Sequence, residues 1–209
     1  MYMVHFTHYP ASGKGAELRK ALEERARAGN AAGTPHNLAM LVYGEEPAFV
    51  STIRHESLAV AEEYNARNAS DPSFQKYLNT LSVARGRPAS SALYEQISAT
   101  PRTGLAEYLL RRVFYANPGK AGELRALVEK RASTPSPGAV GKTVSAQVIG
   151  PDRPNVALTT FFPGLAALET YLKAQTSDPA VQAFATQVGS LGSGGNATLF
   201  HILVRMGAQ

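Results

Sequence analysis

The segment Gly13–Ala26 (GKGAELRKALEERA) returns 106 residues later as Gly119–Ala132 (GKAGELRALVEKRA). Eight of the fourteen positions are identical, where ordinary residue usage gives roughly one by chance. Farther on, Ser70-Asp71-Pro72 with Gln75 recurs as Ser177-Asp178-Pro179 with Gln182, and Tyr64 recurs as Tyr171. A chain that repeats itself in order is constrained to fold as two similar units. In 209 residues each has about 100, enough for its own core. The boundaries predicted are 1–100 and 105–206, joined by a linker from Ser98 to Gly104.

Within one repeat, Tyr2 to Tyr9 carries aromatic and branched residues without a helical stripe and predicts a strand. After Gly13, helical spacing brings Leu18, Ala21, Leu22 and Arg25 together. The run 37–43 is a second strand, Gly44 to Pro47 a turn, and 49–54 a third strand, which makes an antiparallel hairpin. A helix opening at Ser57 is interrupted at Asp71-Pro72, where Asp caps and Pro takes the first helical position. A last strand covers 92–97. The second repeat keeps every element, with one residue inserted in the hairpin turn, and Gly189 to Gly195 reads as a loop before a strand at 199–204. The fold class expected is α+β: two tandem ferredoxin-like (βαββαβ) repeats, their sheets packed as an intrachain dimeric α+β barrel.

Composition narrows the chemistry. The chain has no cysteine, which excludes disulfides, thiolate nucleophiles and Cys-based metal sites. An apolar share of 44% and a charged share of 18% suit a folded protein rather than a disordered one. No apolar run approaches the roughly 20 residues of a membrane span, and the N-terminus lacks the pattern of a signal peptide. A cytoplasmic protein is expected. The net charge is +5, but it is scattered over helix faces where Arg19 and Glu23, Lys20 and Glu24, or Glu23 and Arg27 stand four apart. No nucleic-acid partner is expected.

Two motifs carry a family resemblance. The segment Leu110-Arg111-Arg112-Val113-Phe114 through Pro118-Gly119-Lys120 resembles the strand-to-helix opening of NIPSNAP-type domains. Ser177-Asp178-Pro179 through Gln182 and Phe184 is similar to the Asp-Pro helix start of the same family and of the wider dimeric α+β barrel superfamily, which includes the antibiotic-biosynthesis monooxygenases. The first repeat departs from the pattern, with Phe6 where the second has Arg112. The resemblance implies a small-molecule cavity between sheet and helices, and for some members oxygenation without a bound metal or flavin.

Positions where the copies disagree are the best indicators of function. His8 aligns with Phe114, Phe6 with Arg112, Arg54 with Phe161, His55 with Phe162, and Glu95 with His201. At each, one copy suggests burial and the other carries an ionisable group, which is costly to bury without a partner. His8, Arg54, His55, Glu95, Arg112 and His201 are therefore the candidate ligand-binding residues: an arginine to hold an anionic group, a histidine to exchange protons near neutral pH. For each, a side chain that reaches solvent at a strand end, or pairs across the sheets, is the alternative. The five histidines do not form a metal motif, since His5 and His8 point to opposite faces of a strand. No metal and no cofactor are expected. The function expected is binding of a small, largely apolar molecule with a polar or anionic end, with cofactor-independent oxygenation as the reaction. The alternative is a noncatalytic interaction module. A homodimer of the whole chain is the one protein partner considered.

Overall fold

Aromatic and branched residues at the N-terminus form strand β1 (Tyr2–His8) in the computed structural model, which describes residues 1–43, 46–151 and 153–206. There follow α1 (Gly15–Ala31), β2 (His36–Leu41), β3 (Phe49–His55), α2 (Leu58–Ala69), α3 (Pro72–Ala84) and β4 (Ser90–Ala99). The same order then recurs as β5 (Tyr108–Ala116), α4 (Ala121–Ser133), β6 (Gly141–Ile149), β7 (Asn155–Phe162), α5 (Leu165–Ser177), α6 (Pro179–Leu191) and β8 (Gly192–Val204). The fold is mixed α+β, with antiparallel strand pairing. Its contacts divide the chain into two compact units, Met1–Tyr94 with the residues from Ile202 onward, and Glu95–His201. Strands β4 and β8 each begin in one unit and end in the other.

In the first unit β3 lies between β1 and β2, with pairs running from Tyr2↔His55 to His8↔Phe49 on one side and from His36↔Ile53 to Met40↔Phe49 on the other. The period of two along a strand then puts Val4, Phe6 and His8 on the same face as Ser51, Ile53 and His55. Leu18, Leu22 and Ala26 of α1 pack there against Leu38, Phe49, Leu81 and Ala84. Leu18 and Leu38 are fully buried, each contributing roughly 1.5–3 kcal/mol. The Asp71-Pro72 interruption separates α2 from α3, and the Asp71 carboxylate accepts the Ser73 N–H at 2.8 Å. Asp178 does the same for Ala180 at 2.8 Å.

The second unit places β7 between β5 and β6, with β8 on the outer side of β5. Its core gathers Phe114, Leu124, Val128, Val144, Leu158 and Val188. Lys142, the counterpart of His36, is buried and donates from Nζ to the backbone oxygens of Arg131 and Thr134 at the end of α4. The ion pairs expected on α1 form: Arg19–Glu23, Lys20–Glu24 and Arg27–Glu23.

One element differs from expectation. The run around Gly192–Gly195 is not a loop; β8 already starts at Gly192. Glycine permits it, because a Cβ on Gly192 would come within 2.0 Å of the Tyr115 carbonyl oxygen. The strand can approach β5 that closely only without side chains. In the hairpin turn of the first unit, Gly44 and Glu45 lie outside the described residues. Among the described residues no helix is long and apolar enough to cross a membrane.

Candidate functional site

A cavity of about 210 Å³ lies in the first unit between the helix-facing side of β1, β3 and β2 and the three helices α1 to α3. Alternation aims Val4, Phe6 and His8 into it from one strand and Ser51, Ile53 and His55 from the next. Helix α3 supplies Phe74, Tyr77 and Leu81, and the residue after it, Arg85, also lines the space.

His8 is the exceptional group. It is 4% exposed, and neither ring nitrogen has a hydrogen-bond partner. Burial first, and the Arg85 charge second, push its pKa down to about 4. The ring is therefore neutral at pH 7, with one nitrogen a donor and the other an acceptor. A buried polar group left unmade costs about 1–3 kcal/mol, so His8 calls for something to bond. The backbone brings Arg85 to the same end: Pro10 bridges to Arg85, Ala11 N–H donates to Ala84 O at 2.9 Å, and Gly86 N–H to Tyr9 O at 2.9 Å. Arg85 Nε donates to the Leu81 carbonyl at 3.2 Å.

The other end is a closed polar cluster. Tyr64 Oη is 3.2 Å from His36 Nε2 and accepts from Arg25 at 3.0 Å. Arg25 also donates to Asn68 Oδ1 at 2.7 Å and lies over the Phe74 ring at 4.7 Å. His36 is fixed by Asn30, whose side chain accepts its N–H at 2.7 Å and donates to its carbonyl at 3.0 Å. Burial, then the Arg25 and His55 charges, push His36 down to about 4. His55 sits with its ring 5.2 Å from that of Tyr64 and is lowered by burial. Burial raises Tyr77 to about 12, so its phenol stays protonated. Two arginines and three imidazoles line the cavity, and no Asp or Glu does so among the described residues.

Of the six residues read from the sequence, His8 and His55 face this cavity, at opposite ends of the β1–β3 ladder. Arg54, adjacent to His55, points to the other face of β3. It lines a separate hollow of about 300 Å³ whose wall shares His55 and Tyr64. Its Nε is buried without a hydrogen-bond partner, and burial lowers its pKa. Glu95, Arg112 and His201 belong to the second unit. Glu95 is half-buried on β4. Arg112 donates to Gln175 Oε1 at 3.1 Å and lies over Tyr171. His201 stacks on Tyr108 at 5.0 Å, its partner in the β5–β8 register.

At the matching positions of the second unit, phenylalanines pack where the first has imidazoles. Phe114 meets Phe184 edge-on at 5.7 Å, and Phe162 meets Tyr171 at 5.1 Å. Arg25, Tyr64 and Arg85 were not among the six, and His36 entered the sequence reading only as a metal candidate. Arg25 left a signal, a charge on the apolar stripe of its helix. Among the described residues no group of three His, Asp or Glu side chains is placed to hold a metal ion.

No family model matches the chain, and no curated protein matches it in sequence. Solved structures do share its fold. A candidate monooxygenase from Fusobacterium nucleatum superposes with a TM-score of 0.78 at 10% identity, covering 98% of this chain and 93% of the other. An anthrone oxidase-like protein gives 0.68 at 15% identity, covering 100% and 94%. A haem-binding protein from Thermus thermophilus gives 0.50 at 14%, covering 97% and 91%.

Proposed function

We propose that the cavity of the first unit binds one small, largely apolar aromatic molecule with a polar or anionic end, and that the protein is a cofactor-independent oxygenase. The observation that carries this is His8: a buried imidazole with both nitrogens unbonded, facing a cavity walled by Phe6, Phe74 and Tyr77, where the repeat counterpart is a packed phenylalanine. Such an arrangement is unfavourable for folding alone and favourable for holding a ligand's hydroxyl or carbonyl. The two copies, 1–100 and 105–206, are in this reading NIPSNAP-like repeats of one ferredoxin-like unit, the first kept for binding and the second filled for stability. Arg54 lines the adjoining hollow with Arg67, Glu56 and Glu63, and in this reading its charge is the one offered to a ligand's anionic end outside the Tyr64–His55 wall. Glu95, Arg112 and His201 have no part in this site.

The reaction suggested by the oxygenase neighbours is oxidation of an activated methylene next to an aromatic ring. Two C–H bonds break, one atom of dioxygen becomes the carbonyl oxygen, and the other leaves with both hydrogens as water. Carbon gives up four electrons and dioxygen takes four. His8 holds the substrate oxygen, and the apolar walls exclude water from the reactive carbon.

The test is 1-naphthol binding followed by fluorescence, together with dioxygen uptake on adding anthrone. Saturable binding at one molecule per chain with dioxygen consumption supports the reading. Binding without uptake favours the noncatalytic module, and no binding of either compound rejects the site.

A further inference from the structure

We infer that the cavity takes its ligand as an anion of phenolate type, with Arg85 as the counter-charge and neutral His8 as the hydrogen-bond donor; this rests on the binding function proposed for the cavity. Among the described residues every ionisable group facing the space is basic or phenolic: His8 from β1, Arg25 from α1, His36 from β2, His55 from β3, Tyr64 from α2, Tyr77 from α3 and Arg85 at its end. No carboxylate among the described residues balances the two guanidinium groups inside the cavity. A cation facing a low-dielectric space favours whichever form of a ligand brings negative charge.

The two arginines are not equivalent. Arg25 is committed, bonded to Tyr64 and Asn68 and covered by the Phe74 ring. Among the described residues Arg85 makes one side-chain hydrogen bond, from Nε to the Leu81 carbonyl, and its terminal nitrogens make none. The Pro10 bridge and the flanking backbone bonds hold it against the end of β1, two residues beyond His8. Two groups at one end of the cavity thus lack a partner that a phenolate oxygen would supply: an N–H of His8 and the charge of Arg85. Because His8 and Arg85 would repel if both were charged, the proton from the ligand O–H goes to solvent and His8 stays neutral. Binding a phenol at neutral pH therefore releases a proton to the buffer.

The probe is 4-nitrophenol, whose anion absorbs in the visible while the phenol does not. The full-length chain is saturated with the probe and titrated with pH, for the wild type, Arg85→Gln and Arg85→Lys, with far-UV dichroism confirming that each variant is folded. The wild type is expected to lower the probe's pKa by one unit or more. Arg85→Lys keeps most of the shift, and Arg85→Gln loses it, a tenfold or greater rise in the proton affinity of the bound probe. A bound probe that titrates at or above its free pKa in the wild type overturns the inference while leaving the cavity a binding site. So does a shift that survives Arg85→Gln. If Arg85→Gln does not fold, the wild-type shift and its retention in Arg85→Lys decide. Failure of 4-nitrophenol to bind in either form overturns both this inference and the binding function beneath it.

Discussion

The Tyr64 hydroxyl lies 3.2 Å from His36 Nε2, and this contact joins helix α2 to strand β2 at the back of the cavity. The oxygen also accepts from Arg25 at 3.0 Å, so one phenol satisfies a buried imidazole and a guanidinium that would otherwise compete for water. Tyr64→Phe keeps the ring's volume and removes both bonds. The expected loss is about 1–3 kcal/mol of stability, the cost of unsatisfied buried partners. Urea unfolding followed by dichroism measures it, and an unchanged midpoint would show that the cluster contributes nothing to folding.

Acid should unfold the protein through its histidines. In the native chain His8 and His36 have pKa values near 4, against an ordinary 6.5. Below pH 6.5 the unfolded chain binds protons that the native chain refuses until about pH 4. Stability is therefore highest above pH 6.5, falls as pH drops from 6.5 to 4, and levels off below. Each group contributes on the order of 3 kcal/mol across that window. Urea midpoints should be level between pH 7.5 and 6.5 and decline from 6.5 to 4.5, and His8→Phe should remove roughly half of the decline. A flat profile would mean that neither imidazole is held neutral by burial.

Gly29 tests how His36 is seated. A Cβ there would come within 2.6 Å of His36 Nε2, so Gly29→Ala must displace the imidazole from its seat beside Tyr64. Alanine in a helix is normally a gain of up to about 1 kcal/mol. Here a net loss of about 1–3 kcal/mol is expected from overpacking. Adding His36→Ala to Gly29→Ala should recover much of the loss, which a double-mutant cycle reads directly.

The two units predict unequal losses at one aligned position. Phe162 is fully buried, and Phe162→Ala should cost about 3–5 kcal/mol. His55→Ala, at the matching position, removes a smaller ring from a cavity wall, and a loss under about 2 kcal/mol is expected. Similar losses at both positions would contradict the division of labour between a filled and a hollow copy.

Much of this was legible in the chain. Period-two and helical spacing, with the Asp-Pro cap, located the elements, and the aligned pairs His8/Phe114 and His55/Phe162 pointed at the cavity. What was hidden has physical reasons. Alternation along β3 sends His55 into the cavity and Arg54 away from it, so the two neighbours meet only at the adjoining hollow. Arg112 looks like a buried charge in sequence but finds Gln175, in the last turn of α5 before the Asp178-Pro179 break, a partner that only folding supplies. Arg85 lies outside every periodic run and reaches the site through backbone bonds to Pro10 and its neighbours. The glycines of β8 carried no strand signal because their role is the absence of a side chain beside Tyr115.

The most direct measurement compares wild type and His8→Phe, which gives the first copy the residue of the second, for thermal midpoint and 1-naphthol affinity side by side. If the cavity is a binding site that folding alone does not favour, His8→Phe raises the midpoint, since an unbonded polar ring is replaced by an apolar one, and weakens binding at least tenfold. Unchanged affinity, or a marked fall in midpoint, would contradict the account.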